Sequence, residues 1–159
     1  MDIFFEEHRT LLKLMVKHNV RFMLIGGYAV AHYGYERTTA DMDVWLQVSN
    51  ENKTHFIKAL QDFGITKEGI EFVEQIDFTK PFPVFFFGQK PRRIEFISLV
   101  QRVNFDDAYK QVNHFLLEDV LIPIIQYHHL LLTKKYTGRL KDKADIEELE
   151  RINKYKNDL

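Results

Sequence analysis

Asp41 and Asp43 stand two residues apart where apolar and polar residues alternate strictly, with Met42, Val44, Leu46 and Val48 on one side and Asp41, Asp43, Trp45 and Gln47 on the other. Period-two alternation predicts a strand, which projects both carboxylates from one face with α-carbons about 6–7 Å apart. Such a pair can converge on one or two divalent cations, and Mg2+ takes one or two carboxylates together with substrate oxygens and water. Upstream, Gly26-Gly27 separates a short apolar run from the helix-like YAVAHYG. Glycines at that junction let the backbone approach a ligand, and the first N–H groups and positive dipole end of the helix suit a phosphate. Transfer of a phosphoryl or nucleotidyl group needs cations that neutralise the phosphates and hold attacking and leaving oxygens in line. Taken singly, the glycines read equally as a tight turn; a solvated strand face is the lesser reading of the acids, because Asp is depleted in strands and the glycine turn lies just upstream.

A third carboxylate would complete a two-metal site. Glu95, in Arg92-Arg93-Ile94-Glu95-Phe96-Ile97, has apolar neighbours on both sides, so its strand is expected to be central. An isolated charge there is costly unless a metal or an arginine compensates it, and an ion pair with Arg92 or Arg93 is as good a reading as catalysis. Asp77 is the fallback for the same role. Arg37 suits a phosphate or a partner for Asp41. The adjacent His128 and His129 would point about 100° apart on a helix and read as packing or partner contacts rather than as one metal site. Lys134, Lys135, Arg139, Lys141 and Lys143 read first as a solvated helix connection, and second as a surface for an acidic acceptor such as RNA. Asp142 and Asp145 fit the first turn of a helix, where acids complement the dipole.

The elements that must place these groups follow from periodicity. Helices are expected over Asp2–His18, from the glycine pair onward, over Asn50–Phe63 closed by Gly64, at Asp106–Gln111, and over Val120–Tyr136 and Asp142–Tyr155. Strands are expected at Val20–Ile25, Met42–Val48, Ile70–Phe78, Val84–Phe87 and Arg92–Val100. The order predicts an α+β (α/β mixed) fold, a small mixed sheet flanked by helices. A chain of 159 residues buries roughly 70% of its unfolded surface, enough for one domain over 1–159, with a core of about 1–115 and a C-terminal helical part of about 116–159.

Composition narrows the classes. Without cysteine there is no disulfide and no thiolate metal site, and the acidic start MDIFFEEHRT with no apolar run of ~18 residues predicts a cytoplasmic protein with no membrane partner. A formal net charge of −1 argues against a general nucleic-acid coating protein. The aromatic content, 14 Phe and 7 Tyr with Phe85-Phe86-Phe87 adjacent, is expected mainly in the core.

Together, Gly26-Gly27-Tyr28-Ala29-Val30 and Arg37-Thr38-Thr39-Ala40-Asp41-Met42-Asp43-Val44-Trp45 resemble the nucleotidyltransferase superfamily with the polymerase-beta-like fold, and look most like its bacterial minimal and abortive-infection toxin-like members. The likeness spans residues 20–100 plus Lys141-Asp142-Lys143-Ala144-Asp145-Ile146, similar to a late K-D-x-x-D-I helix start. It implies two Mg2+ ions (or Mn2+) held by Asp41, Asp43 and Glu95. It also implies an NTP at Gly26, Gly27, Arg37 and Thr39, and accessory roles for Lys141, Asp142 and Asp145. A nucleoside monophosphate would pass to an acceptor that is RNA, protein or a small molecule. The chain departs from the pattern where Glu95 replaces the usual Asp. The toxins' upstream Lys also falls near Tyr127-His128-His129-Leu130-Leu131-Leu132, leaving Lys134 or Lys135 as substitutes. These departures motivate a second reading, a catalytically silent binding module such as a toxin–antitoxin component. A metal phosphoesterase is a weaker third, for want of a His/Asp cluster.

Overall fold

A computed structural model describes residues 5–37 and 41–157. Helix α1 (Glu6–Lys17) leads to β1 (Phe22–Ile25), α2 (Gly26–His32) and β2 (Met42–Leu46). Next come α3 (Asn50–Phe63), α4 (Lys67–Glu74), β3 (Phe85–Phe87), β4 (Ile94–Ile97) and α5 (Phe105–Lys110). The chain ends with β5 (Asn113–Leu117), β6 (Val120–Ile124), α6 (Tyr127–Lys135) and α7 (Leu140–Asn157). The six strands form one mixed sheet in the order β3-β4-β2-β1-β6-β5. The expected α+β architecture, a mixed sheet with flanking and C-terminal helices, is what the chain adopts.

The continuous run Phe22-Met23-Leu24-Ile25 is fully buried in β1, between antiparallel β2 and parallel β6. A central strand covered on both faces needs that apolar continuity. In β2 the alternation is real, yet its second face is also covered: Trp45 is 1% exposed and its indole N–H donates to the Ser98 carbonyl (3.3 Å). Phe56, Phe78, Phe85 and Phe96 pack together, as the Phe-rich composition predicts. Helix α3 matches its predicted bounds, with the Ser49 side chain accepting from Asn52 N–H and Gly64 in the left-handed conformation at φ 98°.

Two expectations give way. Residues Ile70–Phe78, expected as a strand, begin inside α4: the Thr66 side chain caps Gly69 N–H, and Ile70 and Val73 bury at i,i+3 spacing while Phe72 is 53% exposed. The predicted helix Val120–Tyr136 is a strand followed by a helix. Pro123 cannot sit in a helix interior, and β6 instead hairpins with β5, a strand the reading omitted, through Glu118 at φ 56°. Residues 120–124 therefore belong to the sheet, and the helical run starts after Gln126, whose side chain accepts from His128 and His129 N–H. The N-terminal helix is described from Glu6; the part of the expectation before residue 5 lies outside the described residues.

Candidate carboxylate site

The register of the sheet builds the site. Ile25 pairs with Asp43, Asp43 with Glu95, and Glu95 with Phe86, so one row crosses β1, β2, β4 and β3. Neighbours in a row point to the same face, and so do residues two apart on one strand. Asp43 and Glu95 therefore share a face, joined by Asp41 and Arg93, each two positions upstream. They line a cavity of ≈ 470 Å³ with Gly27, Arg37, Lys90, Pro91, Arg139 and Lys141.

Gly26 opens α2 directly after β1, with φ 67°. A Cβ there would collide with Asp43 Oδ2, so the carboxylate leans into space that only glycine leaves open. Gly27 is buried and contributes to the cavity wall.

Burial and crowding together set the electrostatics. The Asp43 carboxyl is pushed up from 3.8 to about 7: burial is the main cause, followed by a hydrogen bond with Glu95, repulsion from Glu95 and repulsion from Asp41, with Lys134 pulling the other way. Asp41 Oδ1 is buried with no hydrogen-bond partner among the described residues. Glu95 Oε1 accepts from Arg93 Nη2 at 2.6 Å, and the same nitrogen lies 3.9 Å from Asp41 Oδ2. The guanidinium also lies over the Phe86 ring, 4.5 Å from its centroid. Among the described residues no three His, Asp or Glu side chains are grouped so as to hold a metal ion unaided. Acids crowded enough to raise a carboxyl, with one buried oxygen lacking a donor, nonetheless make a donor set that suits a hard divalent cation sharing substrate oxygens.

Behind this wall lies a second charged cluster. Lys134, 7% exposed, contacts Asp142 and Asp145, each at 3.0 Å. Arg37 donates twice to Asp145, at 2.8 and 2.9 Å, and Arg139 and Thr137 donate to Asp142, each at 2.7 Å. Burial works against ionisation of Asp142, but the bonds from Thr137, Lys134 and Arg139 and the charge of Lys134 prevail and hold its carboxyl below the usual range. Arg37 is thus anchored through Asp145 rather than through Asp41. Asp142 and Asp145 act as the buried anchors of α7, and α7 itself starts at Leu140, two residues before Asp142.

The structure therefore brings Gly27, Arg37, Asp41, Asp43, Glu95 and Lys141 around one cavity, with Gly26 beneath Asp43. Thr39 lies outside the described residues. Asp77 is not there: it is exposed, and its carboxylate accepts from Thr79 N–H and hydroxyl in a tight turn. Of the basic run, Lys134 is buried rather than solvated, whereas Lys135, Lys141 and Lys143 are exposed. The sequence pattern offers Arg93 as an ion-pair partner for Glu95, which the structure shows, but marks neither Arg93 nor Lys90 as a cavity residue. Period two was the usable signal, since Arg93 shares a face with Glu95 and Arg92 does not. Lys90 precedes the strand and had no such signal.

No protein-family model matches the chain, and no curated protein matches it in sequence. It is similar to the crystal structure of the lincosamide antibiotic adenylyltransferase LnuA bound to lincomycin, at a TM-score of 0.56 and 17% identity, covering 96% of this chain and 99% of that chain.

Proposed function

We propose that the chain is a metal-dependent nucleotidyltransferase. Asp41 and Asp43, with Glu95 as third acid, would hold Mg2+ (two ions, or Mn2+). When bound, such ions neutralise phosphate charge and align the attacking and leaving oxygens. Gly26 and Gly27 take the triphosphate by close backbone approach, and Arg37 with Lys141 supplies positive charge toward it; Thr39 belongs to the same set by its place in the motif. The acceptor oxygen forms a bond to the α-phosphorus, the bond to the β-phosphate oxygen breaks, pyrophosphate leaves, and Glu95 takes the acceptor's proton. Asp142 and Asp145 act indirectly, by fixing Arg37 and the end of α6. The acceptor class is RNA, protein or a small molecule.

One observation carries this reading: Asp43 and Glu95 stand in register on adjacent parallel strands with Asp41 beside them, and burial together with these neighbouring acids raises Asp43 to about 7. The likeness of fold supports it. Titration calorimetry of ATP, CTP, GTP and UTP with Mg2+ tests it. Binding of at least one, abolished in Asp41→Ala/Asp43→Ala, is expected; no binding, or binding indifferent to the substitutions, defeats it. Transfer of label to tRNA, to protein or to the chain itself then sorts the acceptor classes.

The Arg93–Glu95 ion pair favours a second reading, a silent nucleotidyltransferase-fold module that docks on a partner as a toxin–antitoxin component. Transfer abolished by Asp43→Asn rules that out. No described helix is long and apolar enough to cross a membrane, and a cytoplasmic location is proposed on that and on the absence of cysteine.

A further inference from the structure

We propose that Arg93 is the resident counter-cation of the carboxylate site and excludes a divalent ion until nucleotide phosphates draw it away, so that metal and nucleotide bind as one unit. This rests on the functional reading above and concerns how its site is loaded.

Three acids face the cavity, and its cations are not equally available to them. Arg37 is committed to Asp145 and Arg139 to Asp142. Among the described residues the ion pairs to Asp41 and Glu95 come from Arg93, through one nitrogen, Nη2. It is bonded to Glu95 Oε1 and lies beside Asp41 Oδ2, so a divalent ion sharing those two oxygens would meet a like charge.

The arginine is not settled in its place. Its Nε is buried with no hydrogen-bond partner, and Asp41 Oδ1 is equally without one. The guanidinium plane lies over Phe86, a ring 52% exposed, which gives it a surface to slide along rather than a slot. A triphosphate offers what the carboxylates lack, paired oxygens for two parallel N–H bonds. Once the guanidinium turns to phosphate, Asp41, Asp43 and Glu95 are released together to a cation arriving on the same nucleotide.

Mn2+ binding, followed by the spin-resonance signal of the free ion, reads this without turnover. It is measured on the full chain, alone and with each of four α,β-methylene NTP analogues. Wild type should bind Mn2+ alone weakly and about tenfold or more tightly with one analogue. Arg93→Met should bind Mn2+ alone about tenfold or more tightly than wild type and gain less from nucleotide, whereas Arg93→Lys, which keeps the charge but not the paired N–H groups, should bind Mn2+ alone about as weakly as wild type and also gain less from nucleotide. Phe86→Leu, at an exposed position, loosens the same guanidinium and should shift Mn2+ binding the same way even if Arg93→Met fails to fold. Unchanged metal-only binding in the variants, with nucleotide-assisted binding intact in wild type, overturns the role of Arg93 and leaves the functional reading standing. Wild type binding Mn2+ alone as tightly as Arg93→Met and Phe86→Leu also overturns it. Absence of Mn2+ binding in every protein, with and without nucleotide, defeats the functional reading and this inference with it.

Discussion

Two groups of charged side chains lie side by side in this molecule and obey opposite rules. Around Asp142 and Asp145 each acid has two basic side chains to answer it, Asp142 a hydroxyl as well, and the Asp142 carboxyl is held low. Around Asp43 the acids face one another, Arg93 answers through a single nitrogen, and the Asp43 carboxyl climbs to about 7. Both groups are burdened by burial, so burial does not separate them. Balance does: a closed network of opposite charges holds a fold in register, while an open one stores repulsion that a ligand can relieve.

The comparison can be broken at either end, and the largest effect is expected in the balanced cluster. Asp145→Ala strips Arg37 and Lys134 of a shared buried partner and should cost about 3–5 kcal/mol. Each kcal/mol lowers the melting temperature by about 2–4 °C in a chain of this size. A loss of under ~1 kcal/mol would mean the network is ornamental.

Next comes Asp43→Asn, which should reduce nucleotidyl transfer by about 10²–10³-fold in a labelled-NTP assay. The same variant sharpens the contrast through stability. A carboxyl raised in the folded state favours its protonated form, so its stabilisation is complete below the unfolded value of 3.8 and is lost as pH climbs through about 7. Asp43→Asn should therefore melt higher than wild type at pH 8, and by less at pH 5. An equal or lower melting temperature at pH 8 would contradict stored repulsion. For Asp142, held low, the sign reverses: its contribution is present at neutral pH and is lost on acidification below the usual carboxylate range.

The smallest change is expected from Gly26→Ala. The methyl enters the space of Asp43 Oδ2 at a positive φ, at a cost of roughly 1–2 kcal/mol from the backbone alone. Chemical denaturation measures that cost. A change in the pH dependence described above would show that the carboxylate itself has been displaced.

Much of the site was legible because its residues obey local periods. The strand alternation at 41–48 placed Asp41 and Asp43 together, and the glycine pair after an apolar run placed the turn. Glu95 was found by its chemistry, an acid in an apolar strand, but its facing Asp43 depends on parallel pairing of β2 with β4, and no local pattern encodes which strands meet. The same limit hid the second cluster, since Arg37 and Asp145 are 108 positions apart. The misread segments have a different cause. At Ile70–Phe78 the residues satisfy both periods, and the Thr66 cap decided for helix. At Val120–Tyr136 a continuous apolar run concealed Pro123, a breaker that should have divided it.

His8 links these distant parts in one further way. Its imidazole is fully buried in α1; Nε2 donates to the Arg92 carbonyl (2.9 Å), which leaves Nδ1 to accept from the Tyr28 hydroxyl (2.9 Å). Burial lowers its pKa, so the ring stays neutral and keeps that one tautomer. A single ring thereby braces the helix that starts at Gly26 against the residue next to Arg93. A fragment cut down to residues 20–100 would keep every motif residue of the strands and lose the strut that sets the gap between them.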